Sequence, residues 1–157
     1  MGNTGGTVVS MAELVGVWTL VSFERRSSNG DLSHPFGTSA VGQLIYDPSG
    51  RMSAALMAQD RPLLGMLPES VKGMRPSFKS LKVIARVFKA SMLFSSYAGR
   101  YRLEGDTVVH QVEVSSLVDW VGTELRRHVS MDNGQLALGF TDALGNQVTL
   151  RWKRALE

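Results

Sequence analysis

The sequence predicts an all-β fold in which eight antiparallel strands close into a barrel, with one amphipathic helix between strands 3 and 4. Three observations predict this fold. Short segments in which apolar and polar residues alternate recur along the chain, and each ends at a turn signal. One segment, residues 77–93, has a helical period instead. Eight antiparallel strands close readily around one small ligand, and closure leaves no exposed strand edge.

The composition fits one globular domain. The chain has 157 residues, 43% of them hydrophobic, a formal net charge of +3 and no cysteine. These values exclude disorder, a disulfide framework, a thiolate nucleophile and a cysteine-based zinc site. No apolar run approaches the ~20 residues that span a bilayer, and the first eleven residues lack the features of a signal peptide. We therefore expect a cytoplasmic protein with a flexible tail at residues 1–10 and a single domain at residues 11–157.

The first three strands lie in the N-terminal part of the chain. Ser10 and Glu13 stand three residues apart, which predicts a capping box and a short helical turn. Alternating segments follow, separated by a loop with Asn-Gly and by an Asp-Pro-Ser-Gly type I turn. They predict strands at residues 16–26, about 41–47 and about 51–58.

The segment at residues 77–93 predicts an amphipathic helix. Its apolar residues share an arc of roughly 120° at 100° per residue: Phe78, Leu81, Ile84, Ala85, Phe88 and Met92. Lys79, Lys82, Arg86 and Lys89 share an adjacent arc, and residues 69–89 carry six basic residues and one acidic residue. Such an arc is most often a solvated face. The alternatives are contact with anionic lipid, an acidic carrier protein or nucleic acid, but no interleaved aromatic residues favour nucleic acid.

Five further strands fill the C-terminal part. The turn signals are Gly105-Asp106, Asn133-Gly134 and Gly145-Asn146. They separate predicted strands at about 95–104, 107–114, 123–131, 135–141 and 147–154.

Motifs along nearly the whole chain resemble a known family. A Gly-x-Trp at residues 16–18 and a late Trp-Lys-Arg at residues 152–154 resemble the lipocalin arrangement, in which the Arg packs over the Trp. Segments 14–23, 42–46, 50–54, 97–101, 108–110 and 120–124, with Arg127, resemble the bacterial and fungal lipocalin-like domain family. The resemblance implies a calycin-type barrel that is open at one end. It implies either a binding protein or a cofactor-free enzyme of cyclisation or rearrangement. The chain departs from ordinary lipocalins in lacking disulfides and in having its main helix between strands 3 and 4.

Turn geometry predicts which side chains point into the barrel, because it fixes the pairing register. It places Tyr101 opposite His110, Gly99 opposite Val112 and Tyr97 opposite Val114. The same reasoning turns Arg127 inward, and an internal Trp18 brings Glu24 to the same face. The predicted polar groups of the cavity are therefore Glu24, Tyr97, Tyr101, His110 and Arg127.

The direction of each strand predicts its position along the barrel axis. The helix and Trp120 fall at the mouth, where the helix would act as a lid, while Trp18 and Arg154 plug the closed end. The predicted ligand-binding wall consists of Leu20, Ser22, Tyr46, Met52, Leu56, Phe88, Met92, Trp120, Leu138 and Phe140.

The first functional hypothesis is a cofactor-independent cyclase or isomerase that acts on a mostly apolar small molecule. The cavity would fold the substrate into a reactive shape. His110 would be the acid/base, assisted by Tyr101 and Tyr97, and Arg127 balanced by Glu24 would stabilise negative charge on oxygen. The alternatives for these residues are a hydrogen-bonded core pair and a buried ion pair between Arg127 and Glu24.

The second hypothesis is a binding protein or carrier for a small hydrophobic metabolite. A third is a partner-binding module that uses the basic arc of the helix. The motifs of phosphate-binding loops, serine hydrolases and zinc proteases are absent from the sequence. We expect no cofactor, no metal, no nucleic-acid partner and no stable membrane association, and a homodimer stays open.

Overall fold

The computed structural model of the protein describes residues 9–65, 75 and 77–155. We number its helices and strands in chain order. They are α1 (Met11–Leu14), β1 (Gly16–Arg26), β2 (Leu32–Ser33), β3 (Val41–Tyr46), β4 (Arg51–Met57), α2 (Phe78–Met92), β5 (Phe94–Glu104), β6 (Thr107–Ser115), a 3₁₀ turn (Val118–Trp120), β7 (Glu124–Asp132), β8 (Gln135–Thr141) and β9 (Gln147–Arg154).

Eight of the strands form a closed antiparallel barrel, as the sequence predicts. The order runs β1-β3-β4-β5-β6-β7-β8-β9, and β9 pairs back with β1. The ninth strand, β2, lies outside this ring and pairs only with the end of β1, where Arg25 faces Ser33. Two residues are too short for an alternating pattern, so the sequence did not predict β2. None of the described helices has the length and apolar character needed to span a bilayer.

The predicted register of β5 and β6 is confirmed for two pairs and wrong for the third. Tyr101 faces His110 and Gly99 faces Val112. A bulge between Ala98 and Gly99 then shifts the register by one residue, so Tyr97 faces Ser115. Val114, predicted to point inward, is 66% exposed. An extra residue on one strand moves every later side chain by one place.

A second irregularity reverses the inner face of β1. The pairing of β1 with β9 shifts between Leu20 and Ser22. Beyond the shift, Phe23 and Arg25 line the interior cavity and Glu24 does not. The prediction of an inward Glu24 was therefore wrong, because side chains alternate along a strand and the bulge exchanges the two faces.

The closed end of the barrel has the predicted plug of Trp18 and Arg154. The Trp18 indole donates to the carbonyl of Leu14 at 2.8 Å. The Arg154 guanidinium lies 4.4 Å from the centre of the Trp18 ring and donates to the carbonyls of Val15 and Glu13 at 2.9 and 2.8 Å. Arg154 thus satisfies carbonyls at the end of α1 that the helix leaves free.

Replacing Arg154 with methionine should lower the free energy of unfolding by about 1–2 kcal/mol. The change removes two hydrogen bonds from a cation and a cation–π contact, while the apolar stem is kept. Urea unfolding followed by circular dichroism measures the effect. Lys153→Met is the matched control, since Lys153 is an exposed neighbour on the same strand. Equal stability of the two variants would contradict a structural role for Arg154.

The predicted boundary of the N-terminal tail falls close to α1. Residues 1–8 of the predicted tail lie outside the described residues. Val9 is buried in the core. Ser10 and Glu13 form the predicted capping box of α1.

Helix α2 forms where the sequence predicts it, but the structure does not confirm it as a lid. Ser77 and Ser80 form a capping box at its start. Only Ser80 and Ala90 are buried, whereas Phe78 and Phe88 on the apolar stripe are 88% and 67% exposed. The face that packs consists of buried Ser80 and Ala90 with half-buried Val83 and Val87 between them. Most of the apolar stripe is exposed, and Met92 at its end lines the interior cavity.

Candidate functional site: the cavity inside the barrel

The barrel contains a mostly apolar cavity of about 320 Å³ that is partly open to solvent. Strand residues form most of its wall. The connections at the predicted mouth and the end of α2 complete the wall. The lining residues include Leu44, Ala54, Leu56, Ser91, Met92, Phe94, Ser95, Leu117, Leu138, Val148, Leu150 and Trp152.

Aromatic side chains from loops and strands meet at the cavity. Phe23 and Phe36 pack edge to face, with ring centres 5.2 Å apart. Tyr97 and Trp120 form a second edge-to-face pair at 5.6 Å. All four residues line the cavity. Such edge-to-face pairs are favourable beyond the apolar area that they bury.

A buried chain of hydrogen bonds joins three strands beside the cavity. His110 on β6 is 0% exposed. Its Nε2 lies 2.6 Å from the hydroxyl of Tyr46 on β3, and its Nδ1 lies 3.0 Å from the hydroxyl of Tyr97 on β5. Tyr46 is buried as completely as His110. Each imidazole nitrogen therefore has a tyrosine hydroxyl as its hydrogen-bond partner.

Burial determines the protonation states of Tyr46, His110 and Tyr97. It lowers the pKa of His110 to about 3, and the positive charge of Arg127 adds to the effect. Burial also raises the pKa of Tyr46 and of Tyr97 above the ordinary value, and Arg127 partly opposes both shifts. At neutral pH His110 is thus a neutral imidazole and both tyrosines keep their hydroxyl hydrogens.

The positive charge of Arg127 acts on all three members of this hydrogen-bonded group. Arg127 is 9% exposed, and its guanidinium lies 3.8 Å from the centre of the Phe140 ring. One N–H donates to the carbonyl of Arg126 at 3.2 Å. Among the described residues no carboxylate forms an ion pair with Arg127. Burial accordingly lowers the pKa of its guanidinium.

The predicted ion pair between Arg127 and Glu24 does not form. The bulge in β1 turns Glu24 away from the cavity. Its place on the inner face is taken by Phe23 and Arg25. Arg127 is instead stacked on an aromatic ring, a contact that stabilises a cation without neutralising it.

A family model agrees with this architecture. The model of the lipocalin-like domain matches residues 15–155. The chain belongs to the lipocalin-like domain family. No curated protein matches it.

Solved structures similar to this lipocalin-like barrel are distant in sequence. A redesigned β-barrel is 12% identical with a TM-score of 0.46, covering 97% of this chain and 100% of that one. An uncharacterized protein from Bacteroides eggerthii is 14% identical with a TM-score of 0.43, covering 88% and 98%. The wild-type fluorescent protein UnaG is 11% identical with a TM-score of 0.42, covering 93% and 100%.

The lipocalin-like barrel brings only part of the predicted site to the cavity. Of the predicted polar groups, Tyr97 and Arg127 line it. His110 lies behind Tyr97, and the Tyr101 hydroxyl donates to the carbonyl of Asp47 at 3.0 Å. The predicted wall residues that line the cavity are Leu56, Met92, Trp120, Leu138 and Phe140. Those that are not among its lining residues are Leu20, Ser22, Tyr46, Met52 and Phe88.

Several residues at the cavity had no signal in the sequence. Phe36 lies in a connection whose apolar residues show no strand or helix periodicity. Phe23 reaches the cavity only because of the bulge in β1. The contact of Tyr46 with His110 crosses the interior between β3 and β6, which are not neighbours in the sheet. Pairing rules for adjacent strands do not describe such contacts. Among the described residues, no group of acidic residues and histidines is arranged to hold a metal ion.

Proposed function

We propose that the protein binds a small, mostly apolar molecule inside the barrel. The observation that carries the proposal is the cavity of about 320 Å³, whose mostly apolar wall carries a few polar side chains that include Tyr97 and Arg127. Ligand sites in proteins commonly have volumes of roughly 300–1,000 Å³, apolar walls and a few polar groups that orient the ligand. An apolar ligand gains about 25 cal/mol for each Å² of apolar surface that leaves water.

Cyclisation or isomerisation of the bound molecule is the second candidate function. Arg127 and Tyr97 favour it, because donors beside an apolar cavity can stabilise negative charge on a substrate oxygen. His110 fits the predicted acid/base role poorly. Its pKa of about 3 makes it a weak base near neutrality, and it could reach a ligand only through Tyr97.

Filling the cavity should abolish binding without unfolding the barrel. We expect the uncharged fluorescent probe N-phenyl-1-naphthylamine to bind the wild-type protein with a rise in fluorescence. Ala54→Trp should weaken this binding at least about 100-fold, since the Ala54 side chain is buried and borders the cavity and an indole would occupy the space of the ligand. Fluorescence titration measures both affinities.

Ala55→Trp is the matched control. Ala55 is the next residue on β4 and does not line the cavity. It should leave probe affinity close to the wild-type value. Equal binding by both variants, or no binding by the wild-type protein, would contradict a ligand site inside the barrel.

Mass spectrometry separates the two candidate functions. Native spectra of the purified protein would identify a co-purified small molecule, which can then be incubated with fresh protein. Recovery of the unchanged molecule supports binding alone. Its conversion to an isomer, which has equal mass and is resolved by liquid chromatography before detection, supports an isomerase, and Arg127→Met should then abolish turnover.

A further inference from the structure

The Tyr46–His110–Tyr97 chain contains one more hydrogen than it can use internally. The two hydroxyl groups and the single N–H of a neutral imidazole give three hydrogens. The structure shows two contacts, Tyr46 to Nε2 and Tyr97 to Nδ1. One hydrogen must therefore point out of the chain, at Tyr46 or at Tyr97.

The two possible directions differ in what happens to that hydrogen. If Nε2–H donates to Tyr46, the Tyr46 hydroxyl hydrogen needs another acceptor, and the described residues offer none within hydrogen-bond distance. Because Tyr46 is fully buried, an unsatisfied donor there is costly. If Tyr46 donates to Nε2, the surplus hydrogen lies on Tyr97, which borders the cavity.

We infer that the chain of hydrogen bonds runs from Tyr46 to His110 to Tyr97, so that Tyr97 and Arg127 both direct hydrogen-bond donors at the cavity and select an apolar ligand that carries a carboxylate. The inference rests on the proposed function and adds the class of ligand. The pKa values support it, since they leave His110 neutral and both tyrosines protonated at neutral pH.

The charges at the cavity agree with an anionic ligand. Arg127 uses one N–H for a backbone carbonyl and keeps further donors for a ligand. Arg25 also lines the cavity. The one carboxylate among the described lining residues is Asp142, and it accepts hydrogen bonds from Leu144 and Asn146 in its own turn. A ligand carboxylate would supply the counter-charge that a buried guanidinium requires.

The first test is the tautomer of His110. Long-range ¹H–¹⁵N correlation spectra of the ¹⁵N-labelled protein should show His110 with the hydrogen on Nδ1 and a bare Nε2. His34 and His128 are internal references in the same spectrum. A hydrogen on Nε2 would overturn the inference, because Tyr97 would then donate to His110 and offer the cavity an acceptor.

The second test uses ligands that differ only in the head group. Decanoate and decylamine are titrated at neutral pH, below the concentrations at which they form micelles, against bound N-phenyl-1-naphthylamine. Decanoate should displace the probe at a concentration at least about tenfold lower than decylamine. Equal displacement, or preference for decylamine, would overturn the inference and leave binding of the probe intact. Failure of the probe itself to bind would instead overturn the proposed function.

Substitution of Tyr97 and of Arg127 tests whether these two donors cause the preference for decanoate. Tyr97→Phe and Arg127→Met should each weaken decanoate binding at least about tenfold more than they weaken binding of the uncharged probe. Tyr101→Phe and Arg126→Met are matched controls, because these side chains do not line the cavity. Unchanged decanoate affinity in both cavity variants would overturn the inference. Far-ultraviolet circular dichroism establishes that each variant is folded.

Discussion

Replacement of Gly99 by alanine is expected to lower the free energy of unfolding by about 3 kcal/mol or more. A Cβ at this position would lie 1.9 Å from the carbonyl oxygen of Gln111 and 3.0 Å from the amide nitrogen of Glu113. Both are backbone atoms of β6, so no side chain can rotate away. Relief of the overlap would require separation of β5 from β6 at the bulge, with loss of ladder hydrogen bonds.

Gly139→Ala provides the control for this prediction. Gly139 also lies within a strand, β8, but the nearest atom to its added Cβ is the carbonyl oxygen of Val148 at 3.7 Å. That is an ordinary contact, and the variant should change stability by less than about 1 kcal/mol. Urea unfolding followed by tryptophan fluorescence measures both. Wild-type stability of Gly99→Ala would show that β5 and β6 do not approach as closely as described.

The parts of the fold that the sequence predicts correctly depend on local chemistry. Asn133-Gly134 and Gly105-Asp106 set hairpin turns, and both glycines have positive φ, 76° and 61°. A turn fixes the pairing nearest to it, so the pair of Tyr101 and His110 followed from the sequence. The packing of Arg154 over Trp18 at the closed end followed instead from the resemblance to the lipocalin arrangement.

The two bulges could not be predicted, and they changed the site. The bulge after Leu20 has no glycine or proline beside it, and Gly99 at the bulge after Ala98 is a residue that can mark a bulge but does not say which strand carries the extra residue. Each is stabilised by the shape of the closed barrel, which is a property of all eight strands together. Their consequence is chemical, since Phe23 replaces Glu24 at the cavity and Arg127 is left without the predicted partner.

Contacts between elements that are not neighbours in the sheet also could not be predicted from the sequence. The alternation of β3 and β6 turns Tyr46 and His110 inward, but only barrel curvature brings their polar atoms to 2.6 Å. Helix α2 is similar. Its period predicts the helix and its apolar stripe, whereas the face that packs consists of Ser80, Val83, Val87 and Ala90.

The free energy of unfolding is expected to fall by about 4 kcal/mol between about pH 7 and pH 3.5 from His110 alone. Its pKa is about 3 in the folded protein and near the ordinary 6.5 in the unfolded chain. In that interval the unfolded chain binds a proton that the folded protein does not, so stability decreases as pH decreases. About half of the loss, about 2 kcal/mol, should occur by about pH 5.

The loss above about pH 5 distinguishes His110 from the carboxylates. Hydrogen bonds lower the pKa of exposed Glu104, Glu113 and Glu124 below the ordinary 4.5, so these groups reduce stability mainly at lower pH. The free energy of unfolding of the wild-type protein, measured with urea at a series of pH values, should therefore decrease with a clear slope from about pH 7 to about pH 5. His110→Gln, which keeps an amide for both tyrosines, should remove most of that slope.

His34→Gln is the control, because it removes a partly exposed histidine, and it should keep the wild-type slope. A wild-type stability that stays constant down to about pH 5 would mean that folded His110 accepts a proton near neutrality. The Tyr46–His110–Tyr97 chain would then carry four hydrogens, and both imidazole nitrogens would donate. Tyr97 would still offer its hydrogen to the cavity, but His110 could exchange protons with a ligand through it. The pH dependence of stability therefore tests whether the chain is a fixed hydrogen-bond donor or an acid/base relay.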